Sequence, residues 1–530
     1  MTKNNFPIYL SLATIFGVLI GIFMNGNTNG FSLNSNTKNE AKIRRLMDYI
    51  DQNYVDTINT SSLLDEAISD MLDKLDPHSA YIPKENLQDI QERMQGKFVG
   101  IGIQFRIIND SVTVVEPIKG GPSIKAGIKA GDRIIIADQD TLSGKKLNAN
   151  DIPRFLKGAS GTDVNLQVYR KTNDSLFNLP VTRGDVNIKS VDLSYMINDH
   201  IGYIKLDRFA RNSYREFKSA LTKLTALGMD ELVLDLRGNG GGFIDIANDI
   251  VDEFLEDDTL IVFTKNNKDQ IEEYFATSGG AFEKGKLYVL IDENSASASE
   301  IVAGALQDND KGIIIGRRSF GKGLVQVEME LGDGSAVRLT TARYFTPTGR
   351  SIQKPYTKNG DVNYNKDYQK RLLSGELLYK DSIQINDALQ YQTPKGKYVY
   401  GGGGIIPDIF VGIDTSGYLN PFFFNSITNF SFDYVDKNRK ELNALWTLDR
   451  FLTNFDKDNS VLDAYLELLP YKPSNTDKIN SHSTNLKVKI KSYIKATIAR
   501  EIFGDEGFYR SIQKDDTMLQ KVLELDANKE

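Results

Sequence analysis

Apolar strands and amphipathic helices alternate along the middle of this chain, from about residue 185 to residue 412. The stretches Ile201 to Phe209 and Glu231 to Leu236 have the composition of buried strands. Between them, Ser213 and Glu216 have the spacing of a capping box, which predicts that a helix begins at Ser213. Further strands are predicted at 260–263 and 287–291, and a helix at 298–307. This alternation indicates an α/β fold in which helices cover a sheet.

The segments on either side follow other patterns. Residues 96–184 contain short β-rich runs, the first from Gly100 to Ile107, separated by turns rich in glycine, proline and aspartate. Apolar residues recur at helical spacing in residues 38–95, and residues 413–530 are helical in pattern and highly charged. With 530 residues, the chain is long enough for several domains. We therefore predict a helical region at 38–95, a β domain at 96–184, an α/β core at 185–412 and a second helical region at 413–530.

The apolar, uncharged run at residues 6–24 predicts a membrane anchor. A helix of this length measures roughly 28 Å, close to the hydrocarbon thickness of a bilayer. Because Lys3 precedes the run, residues 1–5 are predicted to be cytoplasmic and the body to lie on the other side of the membrane. A cleaved signal peptide is the alternative, although the polar residues that follow do not resemble a small-residue cleavage site. The polar, uncharged residues 25–37 would form a tether.

Few residues in the chain suit nucleophilic chemistry, since it has no cysteine and only three histidines. The lack of cysteine also excludes disulfides and thiolate metal sites. Ser297, in the Ser-Ala-Ser-Ala-Ser run at 295–299, follows a predicted strand and precedes a predicted helix. A helix that starts at Ala298 would place free N–H groups and its positive dipole end beside Ser297, an arrangement that stabilises an oxyanion. Taken alone, the run also fits a serine-rich helix cap.

Lys322 is the candidate base for Ser297. The run from Gly316 to Gly323 nearly matches the phosphate-binding loop Gly-x-x-x-x-Gly-Lys-[Ser/Thr], but it ends in glycine and a strand pattern follows instead of a helix, so we reject nucleotide binding. A lysine between glycines beside a strand can be partly buried, and burial lowers the pKa of its amine toward neutrality, as a general base requires. Gln326 lies an even number of positions further on and is expected to share the face of Lys322.

A glycine-rich loop at 238–242 lies between a predicted strand and a predicted helix. Its consecutive glycines expose backbone N–H groups that can bind an anion, so the loop is a candidate second donor to an oxyanion. Taken alone, it also fits a flexible turn. Phe243 breaks the pattern Gly-x-Gly-x-x-Gly, which excludes the dinucleotide fingerprint.

A second glycine turn leads into a strand in the β domain, in the segment Val99-Gly100-Ile101-Gly102-Ile103. Such a turn can hold the terminal carboxylate of a peptide with backbone amides while the strand pairs with the peptide. An ordinary edge strand is the alternative interpretation. The segment therefore predicts peptide binding only in combination with the other motifs.

Taken together, these segments resemble the carboxy-terminal processing proteases, also called tail-specific proteases, which are serine–lysine endopeptidases with a PDZ domain. The resemblance extends from about residue 38 to residue 411. It rests on Leu75–Ser79, Gly127–Ile134, Asp235–Gly242, Ser295–Asp308, Phe320–Gln326 and Gly402–Asp408. Each of these motifs is weak alone, but their recurrence in this order is specific.

The resemblance implies a crotonase-like α/β protease core with an inserted PDZ domain. It implies that Ser297 is the nucleophile, Lys322 the general base and Gln326 the residue that orients the lysine. Asp308 matches an acidic position sometimes included in the relay, although a surface position on its helix is equally compatible with a structural role. The oxyanion hole would be formed by the Ala298 amide together with Gly240 or Gly241.

The sequence thus predicts a membrane-tethered serine endopeptidase, acting on the periplasmic side of the membrane, that processes proteins from C-terminal tails bound by its PDZ domain. We expect no cofactor and no metal. The expected partners are proteins with exposed C-terminal tails and a possible adaptor protein, and the mild net charge of −7 argues against nucleic acid. The competing hypothesis is a catalytically silent, membrane-tethered PDZ scaffold, against which the intact Ser297 and Lys322 argue.

Overall fold

The computed structural model describes residues 38–144, 147–357, 364, 366–415, 419–469 and 481–528, with residues 481–484 described by their backbone only. The predicted cytoplasmic N-terminus, anchor and tether at 1–37 lie outside the described residues. Of the helices that are described, none combines the length and apolar composition needed to cross a bilayer. The chain divides into two compact units, one up to Asp70 and one from Met71.

Three helices confirm the helical pattern predicted for residues 38–95. They are α1 Lys38–Asn53, α2 Thr60–Asp73 and α3 Lys84–Gln95. Helix α3 ends at Gly96, whose φ of 73° is the left-handed cap conformation that glycine adopts without steric cost. A short strand, β1 Ala80–Ile82, precedes α3.

The β domain that follows is a sheet with the strand order β3-β4-β5-β7-β8, to which β6 adds beside β5, and a separate β2-β9 pair. Its strands are β2 Lys97–Gly100, β3 Ile103–Ile108, β4 Ser111–Pro117, β5 Arg133–Ala137, β6 Asp140–Thr141, β7 Asp163–Arg170, β8 Ser175–Thr182 and β9 Gly184–Asn187, and its short helices are α4 Pro122–Ala126 and α5 Pro153–Leu156. The β-rich run predicted from Gly100 to Ile107 is divided by a turn. The chain turns at Gly102, whose φ is 77°, so β2 and β3 are separate strands.

The α/β core contains a six-stranded sheet of order β10-β11-β12-β15-β16-β21. Its strands are β10 Val191–Met196, β11 Ile201–Leu206, β12 Glu231–Asp235, β15 Lys286–Ile291, β16 Gly312–Gly316 and β21 Ile409–Phe410, and its helices are α6 Ser213–Ala226, α7 Ile244–Asp252 and α8 Ala298–Asp308. The strands from β11 onward are parallel. Every residue of β11 and β12 is buried, as expected of a parallel sheet that is covered on both faces. The α/β prediction is confirmed.

A second sheet lies beside the first, with the order β1-β18-β13-β14 and β17 paired to β18. Its remaining strands are β13 Leu260–Asn266, β14 Ile271–Phe275, β17 Leu324–Glu330 and β18 Ala336–Phe345, and a small helix α9 Asp367–Leu373 and hairpin β19 Gln390–Gln392 and β20 Tyr398–Tyr400 follow. The register of β17 against β18 shifts between Val325 and Gln326, which is a β-bulge. Bulges redirect side chains, and this one lies next to Gln326.

The capping box predicted at the start of α6 is wrong. Asn212 is the N-cap residue, and Ser213 is the first residue of the helix. The Ser213 hydroxyl accepts a hydrogen bond from the Ala210 amide at 2.7 Å, while the Glu216 carboxylate accepts one from the Ser190 amide at 2.8 Å. The Glu216 carboxylate, which the local pattern assigned to the helix end, therefore binds a segment that precedes β10.

The C-terminal region is helical, as predicted, and has a hydrophobic core of its own. Its helices are α10 Pro421–Leu445, α11 Leu448–Asn454, α12 Ser460–Leu468, α13 Ser481–Ile512, which is interrupted by a kink at Gly504, and α14 Thr517–Ala527. Asp436 on α10 accepts hydrogen bonds from Arg133 and Lys171 of the β domain, each at 2.7 Å. Apolar side chains of α14 pack against the six-stranded sheet, on the face opposite the core that contains α6, α7 and α8. The region therefore contacts both the β domain and the α/β core.

Candidate active site

Ser297 lies in the turn between β15 and α8 and is the N-cap residue of that helix. Its backbone has φ 56° and ψ −113°, an arrangement that non-glycine residues rarely adopt and that is often found at functional sites. The side chain lines a cavity of about 680 Å³, together with Lys322 and Gln326. The structure thus brings Ser297 together with Lys322 and Gln326, which lie 25 and 29 positions further along the chain.

Lys322 occupies the loop between β16 and β17 and is partly buried. Burial is the main cause that lowers the pKa of its amine to about 8, and the positive charge of Arg338 lowers it further, while Glu300 and Asp76 oppose the shift. Within the described part of the chain, the Nζ atom has no hydrogen-bond acceptor. An amine with this pKa is neutral in a sizeable fraction of molecules near pH 7 to 8, so it can accept a proton.

Glu300 connects the Ser297 turn to the Lys322 loop, and this role was not predicted from the sequence. Its fully buried carboxylate accepts hydrogen bonds from the backbone amides of Ser297 at 2.8 Å, Lys322 at 2.9 Å and Gly321 at 2.7 Å, and from the Ser319 hydroxyl at 2.5 Å. Burial raises the pKa of Glu300 and these four donors only partly offset it. The role of Glu300 could have been predicted from its position three residues after Ser297, which is typical of a helix-capping glutamate.

Tyr344 on β18 makes a second link between the same two segments. Its buried hydroxyl donates a hydrogen bond to the Lys322 carbonyl at 2.6 Å and lies 3.2 Å from the Ser297 carbonyl. Burial raises the pKa of Tyr344 well above its usual value, so the hydroxyl remains protonated. The spacing between the serine turn and the lysine loop is therefore held by interactions with both backbones.

The glycine loop at 238–242 lies against the Ser297 turn, held by the buried side chain of Asn239. A Cβ atom added to Gly241, whose φ is 100°, would lie 2.8 Å from the Ala296 carbonyl and 2.9 Å from the Ser297 Cβ, so only glycine fits there. The Gly241 amide already donates to Asn239 Oδ1 at 2.8 Å. The amides of Gly240 and Ala298 have no acceptor among the described residues. Of the predicted oxyanion donors, these two are available.

Gln326 lines the cavity, but not because it shares a strand face with Lys322, as was predicted. Lys322 precedes β17, which begins at Leu324, and the bulge at Val325 and Gln326 breaks the two-residue alternation on which the prediction relied. Both side chains nevertheless line the same cavity. The Gln326 amide nitrogen donates to the Thr340 hydroxyl at 3.4 Å.

Asp308 is not on the surface and is not brought to the cavity. It lies at the other end of α8, roughly 16 Å along the helix from Ser297. Its carboxylate pairs with Arg350 at 2.7 Å, both side chains being fully buried, and accepts the Thr348 hydroxyl at 2.6 Å. The prediction of a surface position is wrong, because the chain around Arg350 folds over this end of the helix. Asp308 therefore contacts Arg350, in keeping with the structural alternative, and does not line the cavity.

The peptide-binding segment predicted in the β domain contains the turn between β2 and β3. Val99 and Gly100 pair with β9, Ile101 is buried in the core of the domain, and Ile103 begins β3. The Gly102 carbonyl accepts the Ser123 hydroxyl at 2.5 Å. Strand β3 is at one end of the strand order, and among the described strands only β4 pairs with it. The glycine turn therefore leads into the strand at one edge of this sheet.

Comparison with known proteins assigns these parts to families. The sequence pattern of peptidase family S41 matches residues 200–362, and that of the PDZ domain matches residues 99–181. The N-terminal domain of the activating protease CtpB matches residues 25–86, and a family of unknown function matches residues 424–504.

Similar whole proteins are peptidases by name. The "Carboxy-terminal-processing protease" of Bartonella bacilliformis is 35% identical over 63% of this chain and 78% of its own length. A "Probable CtpA-like serine protease" of Staphylococcus aureus is 32% identical over 64% of this chain and 68% of its own length. Among solved structures, the photosystem II D1 C-terminal processing protease is 28% identical over 62% of this chain and 92% of that one, with a TM-score of 0.35. This chain belongs to the carboxy-terminal processing proteases of peptidase family S41 and is a serine-type peptidase with a PDZ domain.

Proposed function

We propose that this protein is an endopeptidase with a catalytic dyad of Ser297 and Lys322, which cleaves proteins whose C-terminal tails are bound by its PDZ domain. The observation that carries the proposal is that both side chains line one cavity while Glu300 bonds to both of their backbones. The lowered pKa of the Lys322 amine supports its role as the base.

In this mechanism, the neutral Lys322 amine takes the proton from the Ser297 hydroxyl as its oxygen attacks the scissile carbonyl. The negative charge that develops on the carbonyl oxygen is stabilised by the Gly240 and Ala298 amides. The Lys322 ammonium then gives its proton to the leaving amine, the C–N bond breaks and an acyl ester remains on Ser297. Water, deprotonated by the regenerated amine, hydrolyses the ester.

We propose that the backbone amides around Gly100 and Gly102 hold the terminal carboxylate of the substrate while its tail pairs with β3. A stable reporter domain with an unstructured tail tests this proposal. A tail with a free carboxylate is expected to give a kcat/KM at least roughly 10-fold above that of the same tail amidated, since an amide has lost the charge that the carboxylate offers to the backbone donors. Equal rates for the two tails would contradict tail recognition but not the dyad.

We also propose that the core is crotonase-like and that the protein is tethered to a membrane. A crotonase-like core is supported by the succession of parallel strands and covering helices from β11 to β16. The apolar composition of residues 6–24 supports a tether that holds the peptidase on the outer side of the cytoplasmic membrane. Recruitment of an adaptor stays a prediction. The silent scaffold is not favoured, because the family is one of active peptidases and the candidate dyad is intact.

Replacing Glu300 by glutamine tests whether the spacing of the dyad depends on this side chain. Glutamine offers one acceptor oxygen, and its NH2 group would face amide N–H donors in a buried site. We expect kcat to fall by roughly 10²-fold, since small displacements of reacting groups have effects of that size, and the free energy of unfolding to fall by about 2 kcal/mol. Steady-state cleavage and thermal unfolding measure both quantities. An unchanged kcat would show that Tyr344 alone maintains the spacing.

A further inference from the structure

The motif Leu75–Ser79 has no role in the mechanism above, although it contains a buried carboxylate. Asp76 is 6% exposed. Its Oδ1 atom accepts hydrogen bonds from the backbone amides of His78 at 2.8 Å and Ser79 at 2.9 Å, and its Oδ2 atom accepts the Ser79 hydroxyl at 2.7 Å. These bonds orient the carboxylate within the turn and leave Oδ1 aimed at β18, where Thr340 lies.

Thr340 connects this turn to the wall of the cavity. Its hydroxyl donates to Asp76 Oδ1 at 3.1 Å, and its backbone amide donates to the Ser79 hydroxyl at 3.1 Å. Burial raises the pKa of Asp76, but the hydrogen bonds from Ser79, His78 and Thr340 outweigh it and lower the pKa. The carboxylate is therefore ionised and can only accept hydrogen bonds.

This restriction determines the direction of the next hydrogen bond. Thr340 is the cross-strand partner of Gln326, beside the bulge of β17, and its Oγ1 atom lies 3.4 Å from the Gln326 amide nitrogen. A threonine hydroxyl has a single proton, and here it is donated to Asp76. Its oxygen can therefore only accept from Gln326, which must turn its NH2 group toward Thr340. The amide oxygen of Gln326 is then left on the opposite side of the group.

We propose that Asp76, acting through the Thr340 hydroxyl, sets the orientation of the Gln326 amide so that its oxygen, and not its nitrogen, is available to the Lys322 amine. Asp76 and Thr340 are positioning residues, and the inference rests on the proposed dyad. An amide oxygen accepts an N–H of the amine and leaves the nitrogen lone pair free for the Ser297 proton. A reversed amide would donate its own N–H to that lone pair and compete with the proton.

The first test compares Thr340→Val with Thr340→Ser. Valine has nearly the shape of threonine but has no hydroxyl, so the Gln326 amide loses its orientation, and kcat is expected to fall roughly 10- to 100-fold with KM unchanged. Serine keeps the hydroxyl and is expected to stay within about threefold of wild type. Thr341→Val is the matched control, because it makes the same change at the next position of β18 without touching the bonds of Thr340, and it should stay within about threefold of wild type. Thermal unfolding verifies that each variant is folded.

The pH dependence of the rate distinguishes a reversed Gln326 amide from a general loosening of the site. The Gln326 oxygen stabilises the ammonium form of Lys322, whereas a reversed amide stabilises the neutral form. Thr340→Val is therefore expected to move the rising limb of the pH–rate profile to lower pH while its plateau falls. If the substitution merely loosened the site, water would reach the amine and the limb would move to higher pH, toward the ordinary lysine value. That result would overturn the proposal.

A double-mutant cycle provides the most specific test. Glutamate at position 326 has oxygens on both sides and needs no orientation, so Thr340→Val is expected to change kcat less than about threefold in a Gln326→Glu background. A purely structural role of Thr340 predicts the same loss in both backgrounds. Asp76→Ala should resemble Thr340→Val, whereas Asp76→Asn keeps an acceptor oxygen and should retain most activity.

The outcomes distinguish this inference from the proposed dyad. If Ser297→Ala is inactive but Thr340→Val equals wild type, the dyad stands and the orientation role is wrong. If Ser297→Ala retains turnover, the dyad itself is wrong. Equal losses from Thr340→Val and Thr340→Ser would also reject the role of the hydroxyl.

Discussion

Replacement of Ser297 by alanine is expected to lower the rate of tail cleavage by roughly 10⁴- to 10⁶-fold while the protein stays folded. The substitution removes the oxygen that would form the acyl ester, while the bond from the backbone amide of residue 297 to the Glu300 carboxylate does not depend on the side chain and is kept. The left-handed backbone at this position is equally strained with serine and with alanine. Cleavage of the tailed reporter and thermal unfolding measure the two effects.

Labelling with a phosphonofluoridate probe that reacts with activated serines gives an independent measurement. Wild type is expected to be labelled and Ser297→Ala is not. Ser299→Ala is a matched control in the same run, because the Ser299 hydroxyl donates to the Asn239 carbonyl at 2.9 Å and is buried. That variant should still be labelled. Turnover or labelling retained by Ser297→Ala would refute the assigned nucleophile.

Lys322→Arg is expected to lower kcat by roughly 10³-fold, although it preserves the positive charge. A guanidinium does not release its proton near neutral pH and therefore cannot accept one from serine. Lys354→Arg is a matched control near the same loop. The Lys354 amine lies 3.8 Å from the centre of the Phe320 ring, and arginine makes the same kind of cation–π contact. This control variant should retain turnover.

The pH dependence of wild type completes the test of Lys322. Because the pKa of its amine is lowered to about 8, the neutral form becomes more abundant as the pH rises through that value. The rate of cleavage is therefore expected to rise between about pH 7 and pH 9 and then level off. His78 does not contribute to this limb, since burial, aided by the charge of Lys322, lowers its pKa to about 4. A flat profile over this range would contradict the role of Lys322.

Much of the fold followed from local patterns. The alternation of apolar strands and helices predicted the α/β core, and the glycine and proline turns predicted the β domain, because periodicity and turn chemistry depend on neighbouring residues. Local patterns failed where a distant group competed for the same atoms. Glu216 was assigned to a helix cap but bonds to Ser190, and Asp308 was placed on the surface but is covered by the segment that contains Arg350.

Motif spacing likewise predicted Ser297 and Lys322 as a pair, but it did not predict which groups hold their segments together. The Glu300 carboxylate accepts hydrogen bonds from Ser319, Gly321 and Lys322, and these bonds are visible only when segments far apart in the chain are adjacent. The same is true of the route from Asp76 through Thr340 to Gln326.

The amino-acid sequence by itself determined the class of fold, the family and the residue types that can perform the chemistry, since these depend on composition and on short-range order. Only the tertiary structure decided which amides stay free, which carboxylates are buried and paired, and in which direction each hydrogen bond runs. The physical reason is that a donor or acceptor is used up by whichever partner lies nearest in space, and distance along the chain does not reveal that partner.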